Sequence, residues 1–96
     1  MSNKTQILCN KNNRRILQIV EELKKDIKDN SIQLLKSKVE ENEITNDISR
    51  LIRKNLNTNL LLVRLGRLHY FIKNLEDYNN GKKDYIKYCL TKLIIY

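Results

Sequence analysis

The sequence predicts an all-α protein: four or five helices in a small bundle, one of them a long central helix, and no sheet. Three observations lead there. The 96 residues contain no Pro and only two Gly, which disfavours the many tight turns of a sandwich or barrel. Apolar residues recur at steps of three and four along most of the chain. The alternation that strands require never lasts more than a few residues. A chain of this length buries about two-thirds of its unfolded surface, so its core is small and a partner could add to its stability. The expected organisation is a flexible polar arm, residues 1–12, and a single helical domain, residues 13–96.

Asn12 or Asn13 is the expected cap of the first helix. Its apolar stripe is Ile16, Ile19, Val20, Leu23 and Ile27, with Arg14, Arg15, Glu21, Glu22, Lys24, Lys25 and Lys28 on the other face. Asp29-Asn30-Ser31 reads as a break or kink. Ile32, Leu34, Leu35 and Val39 then suggest a second, shorter helix ending in VEENE. Thr45 is the expected cap of the central helix, with Asn46 and Asp47 in its first turn, where the helix dipole favours negative groups.

From there to about Asp77 the pattern stays helical but changes phase. At about 100° per residue, Ile48, Leu51, Ile52, Leu56, Leu62 and Val63 fall on one side, and Leu61, Leu65, Leu68, Phe71, Ile72 and Leu75 nearly opposite. Either the helix breaks at Asn55–Asn59, or it continues and is buried between two neighbours. Gly66 costs about 1 kcal/mol against Ala in a helix interior, so a close helix–helix approach is expected there. Asp77-Tyr78-Asn79-Asn80-Gly81 reads as a turn. A last helix from about Lys82 carries Ile86, Leu90 (or Cys89) and Leu93, with Tyr85, Tyr88 and Tyr96 around them.

Catalytic chemistry is not expected. His69 is the only His, no ligands are paired at zinc-site spacing, and both glycines are isolated rather than set in a phosphate loop. Glu40, Glu41 and Glu43 read as a solvated acidic run. The expectation is a protein that is not an enzyme, with no cofactor, metal or small-molecule substrate. No apolar leader region precedes Cys9, and no run reaches the 18–20 or so apolar residues of a membrane span. The chain is therefore expected to be intracellular, off the membrane, with Cys9 and Cys89 reduced.

Formal net charge is +8 and the pI about 9.6, which makes nucleic acid or an acidic protein a candidate partner. The absence of Ala beside abundant Lys, Asn and Ile is the mark of A+T-rich coding, which itself inflates Lys. The expected partner interface is Leu61, Leu65, Leu68, Phe71, Ile72, Leu75, Leu93, Ile94 and Tyr96. Arg50, Arg53, Arg64 and Arg67 are the candidates for phosphate or carboxylate contacts, with an ion pair favoured for Arg64 and Arg67.

The segment ISRLIRKNLNTNLLLVRLGRLHYFI, with its step Arg64-Leu65-Gly66-Arg67-Leu68, resembles the long central helix of GINS subunits, eukaryotic and archaeal replication factors. RRILQIVEELKKDIKDN is similar to an early helix of the partner-of-Sld-five type, and KKDYIKYCLTKL to the helix that closes its helical domain. The resemblance implies a nuclear, four-subunit helical assembly that joins the MCM helicase, with Arg64, Arg67 and the Leu65–Leu75 stripe as intersubunit packing. The small β-rich domain usual in GINS subunits is not expected in 96 residues. A second resemblance is to the fifteenth protein of the small ribosomal subunit, a four-helix RNA binder, whose hallmark loop residues are absent at Asn55–Asn59. The expectation is a non-catalytic helical subunit of a larger complex, most specifically a GINS-like replication factor. The alternatives are a basic RNA-binding helical protein and a phage or viral protein that docks a host protein.

Overall fold

The structure, a computed structural model, describes residues 10–94. Residues 1–9 of the polar arm, Cys9 among them, and Ile95 and Tyr96 lie outside the described residues. Two antiparallel helices, α1 (Lys11–Arg53) and α2 (Asn59–Leu90), form an elongated hairpin of 70 × 25 × 14 Å. The expected class, all-α, holds; the expected count of four or five helices does not, and no single helix runs through the centre.

Local chemistry accounts for where the helices stop. Asn10 caps α1, its side chain accepting from the Asn13 N–H at 2.8 Å. At the other end Asn55 takes a left-handed φ of 56°, which Asn tolerates better than most residues. The Leu56 N–H then reaches back to the Leu51 carbonyl at 2.9 Å, and the Asn55 N–H to that of Ile52 at 3.0 Å. These two bonds are a Schellman closure, which satisfies the carbonyls a helix end leaves open. Asn57 Oδ1 accepts from the Asn59 N–H at 2.8 Å and turns the chain into α2. Of the two readings of the phase change, the break at Asn55–Asn59 is the one realised. Ile48 and Leu51 of the first stripe lie on α1 and face Leu61, Leu65, Leu68, Ile72 and Leu75 of the second on α2. Ile52 on α1, Leu56 in the connection, and Leu62, Val63 and Phe71 on α2 are exposed.

The other three expected boundaries are absent, each for a stated reason. At Asp29-Asn30-Ser31, Ser31 Oγ donates to the Ile27 carbonyl at 2.8 Å within the helix, and Asn30 Nδ2 donates across the hairpin to Asn79 Oδ1 at 2.9 Å. Thr45 is no cap: its Oγ1 donates to the Glu41 carbonyl one turn back, at 2.8 Å. At Asp77–Gly81, α2 continues because Gly81 keeps a negative φ and Asn79 is buried against α1. The segments VRLGRLHYFI and KKDYIKYCL therefore lie on one continuous helix.

The hairpin is held by one seam of strict heptad period. On α1 it runs through Asn13, Ile16, Val20, Leu23, Ile27, Asn30, Leu34, Ser37, Glu41, Ile44, Ile48 and Leu51, in alternating steps of three and four. On α2 it runs through Leu61, Leu65, Leu68, Ile72, Leu75, Asn79, Lys82, Ile86 and Cys89, and on to Leu93. Every one of these is buried or half-buried. Elsewhere within the two helices only Ile19, Glu40 and Asp47 are. A straight helix would drift about 20° per heptad away from such a row, so a 3.5-residue repeat keeps two helices in contact by supercoiling them.

The apolar core is thin: Val20, Ile44, Ile48, Ile72 and Cys89 are its fully buried members. Three buried residues are polar, Asn13, Ser37 and Asn79, yet among the described residues no buried side-chain N or O lacks a partner. Asn13 clasps the open end, with Nδ2 donating to the Ile94 carbonyl at 2.7 Å and Oδ1 accepting from the Ile94 N–H at 2.9 Å.

Candidate interaction surfaces

Lettering each heptad a to g, with Val20 and Ile72 at a, the seam holds a and d. The two sides of the ribbon are then the e and g flanks. In an antiparallel pair like flanks meet, and the ion pairs follow that rule. Arg64 Nη2 donates to Glu40 Oε1 at 2.7 Å on the g side, and Lys38 Nζ lies 3.5 Å from Glu76 Oε2 on the e side. Two further pairs lean out of the seam itself. Lys82 Nζ donates to Asp26 Oδ2 at 2.8 Å, and His69 Nε2 lies 2.7 Å from Glu41 Oε2. The hydrogen bond to Asp26 holds the Lys82 ammonium above its ordinary range, and the same ammonium sits 4.6 Å from the Tyr78 ring centroid.

The g flank of α2 carries a second row with the same period: Arg64, Arg67, Phe71, Asn74, Tyr78, Gly81, Tyr85, Tyr88 and Lys92. Phe71, Tyr78, Tyr85 and Tyr88 are all exposed, and the Tyr85 and Tyr88 rings stack with centroids 6.0 Å apart. Between Tyr78 and Tyr85 lies a shallow groove of about 430 Å³, bordered by Leu23, Asp77, Gly81 and Lys82. Facing this row on the same side of the ribbon, α1 presents Asp26, Glu40 and Asp47 at g, with Glu22, Asp29 and Glu43 at c beside Arg15, Lys36 and Arg50, so that the acids outnumber the bases there. One side of the molecule is thus half aromatic and basic, half net acidic.

The e flank differs. Together with the neighbouring b positions it carries Arg14, Lys24, Lys28 and Lys38 on α1 and Lys73, Lys83 and Lys87 on α2. Their only acidic company there is Glu21 and Glu76, which pair with Lys24 and Lys38. Most of the net charge of +8 therefore sits on one side.

The residues singled out from sequence divide between these surfaces. Leu61, Leu65, Leu68, Ile72, Leu75 and Leu93 lie in the seam against α1; Phe71 stands in the aromatic row. Ile94 is half exposed, its backbone held by Asn13, and Tyr96 lies outside the described residues. Arg64 pairs with Glu40, and Arg50 with Asp47 on its own helix. Arg53 and Arg67 are exposed and form no ion pair among the described residues. Gly66 borders no close neighbour: a Cβ there would meet nothing within 4 Å, so the expected close approach is not made at this position. Sequence reading missed the aromatic row and the one-sided placement of lysine. Continuing the three-four count through Asn30, Glu41, Asn79 and Lys82 would have exposed both.

Among the described residues no group of three His, Cys, Asp or Glu converges to hold a metal ion, and no helix is long and apolar enough to cross a membrane. No protein family, no curated protein and no solved structure matches this chain.

Proposed function

We propose that the hairpin is a non-catalytic packing unit that works by binding protein through its g flank, and that the surface that covers this flank is a second copy of the chain. The observation that carries the reading is the exposed row Phe71–Tyr78–Tyr85, spaced by seven residues on a helix whose other row is already packed. An exposed aromatic row of this kind marks an interaction site.

Charge selects the partner and its orientation. A two-fold axis parallel to the helices lays α2 of each copy antiparallel on α1 of the other. Arg64 and Arg67 then meet the Glu40, Glu43 and Asp47 region of the second copy. Tyr78 and Tyr85 bring phenol donors to its Glu22, Asp26 and Asp29. The other face-to-face dimer sets acidic α1 on acidic α1, and the e flank laid on itself sets lysine on lysine. A face of 70 × 25 Å exceeds the roughly 800 Å² per partner of an ordinary stable interface. The product is a four-helix bundle, which also covers the half-exposed seam.

Light scattering on the purified protein tests this. The expected mass is twice the 11.5 kDa of one chain at micromolar concentration. The triple variant F71A/Y78A/Y85A should be monomeric with its helical circular dichroism retained. A wild-type chain that stays monomeric at the highest soluble concentration overturns the second copy as the occupant. A heterologous subunit, which the GINS likeness implies, would then be sought on the same flank.

A further inference from the structure

We infer that the e flank is a binding site for the phosphate backbone of double-helical nucleic acid. The heptad register brings together, from both helices, cations that are scattered in the sequence. Arg14 to Lys38 spans about 36 Å at 1.5 Å per residue, close to one turn of a duplex. Arg14, Lys28, Lys73, Lys83 and Lys87 on this flank form no ion pair among the described residues. A+T-rich coding raises Lys everywhere and does not explain why six carboxylates of α1 lie at c and g while this side holds two. The asymmetry is a property of the surface, not of the composition.

The chemistry favours a duplex over the other polyanions. Single strands are held by aromatic stacking, and here Phe71, Tyr78, Tyr85 and Tyr88 line the opposite flank and Tyr70 the outer edge of α2. An interfacial helix needs a broad apolar face between its cations. The positions between these cations are Glu21, Ser31, Glu76 and Asn80, with Leu17 and Leu35 two separate apolar exceptions that form no continuous face. What remains is a rigid row of ammonium groups that neutralises phosphates without reading bases. The flank is opposite the one proposed to dimerise, so the inference stands for monomer and dimer alike.

The probes are a 24-base-pair DNA duplex, the same duplex in RNA, a single strand of equal length, and phosphatidylserine vesicles, titrated by fluorescence anisotropy or co-sedimentation. For about five phosphate contacts, affinity for a duplex should fall about 500-fold between 50 and 200 mM salt. The variant K28Q/K73Q/K83Q/K87Q should lower the slope of log affinity against log salt by about 0.9 for each lysine. R53Q/R67Q, which removes charge elsewhere, should leave that slope unchanged. Tighter binding to the single strand or the vesicles overturns the inference, as does a slope that responds equally to both variants. Should the quadruple variant fail to fold, the ranking of the four probes by wild-type protein decides the question alone.

Discussion

Asn30 and Asn79 form the one side-chain pair of amides that crosses the seam among the described residues, and Asn79 is almost wholly buried. Such a pair adds less stability than two leucines, but it is satisfied only when these two positions face each other. A slip by one heptad would part the two amides and set Asn30 against Ile72 or Ile86. Asn79→Leu alone should therefore cost about 1–3 kcal/mol in a urea melt, because Asn30 loses its acceptor. The double variant N30L/N79L should regain that loss and then lose uniqueness: nuclear magnetic resonance spectra should show more than one set of amide signals as registers compete. A double variant that keeps one sharp set would remove the register role.

Helix α2 contains both glycines in its interior, with no positive φ and no neighbour within 4 Å of an added Cβ at either position. Gly66→Ala should raise stability by about 0.5–1 kcal/mol in the same melt, since only backbone entropy separates the two residues there. A loss of stability would mean that something approaches Gly66 after all. The helical pattern itself was legible: the stripe Ile16–Ile27 and the Asn-rich connection at Asn55–Asn59 stand out in sequence and in structure alike. Asn30, Thr45 and Asn79–Gly81 mislead because each is a common cap or breaker, and amides paired across the two helices, back-bonding hydroxyls and an unhindered glycine let the helices run on. Ile32, Leu34, Leu35 and Val39, which suggest a separate short helix in sequence, lie within α1. Leu34 alone points into the seam, while Leu35 and Val39 border an open groove on α1 near Arg64. Leu35 and Val39, four apart, share a face that is turned about 100° from Leu34, and only the period of the whole row says which of the two faces is the seam.

On the scale of the molecule, a two-helix ribbon has two broad sides, and these two carry different chemistry. One offers aromatic rings opposite carboxylates, the other lysines with little acid near them. A bundle closed on the first side would present the second on both of its outer surfaces, so duplex affinity should be doubled in stoichiometry, not altered in salt slope, by dimerisation. The five-residue connection and the Asn13–Ile94 clasp sit at opposite ends of the rod, and this sets an order in time. Facing residues next to the connection are few positions apart in sequence, whereas Asn13 and Ile94 are 81 apart. Closing layers outward from the connection meets the entropy of each loop in small increments, while starting at the clasp meets it at once. The chain should zip from Asn55 towards Asn13. Asn55→Val, which strains the left-handed turn by about 1–2 kcal/mol, should slow folding, and Asn13→Ala should mainly quicken unfolding in stopped-flow chevrons. The reverse assignment of the two rates would place the first contact at the clasp.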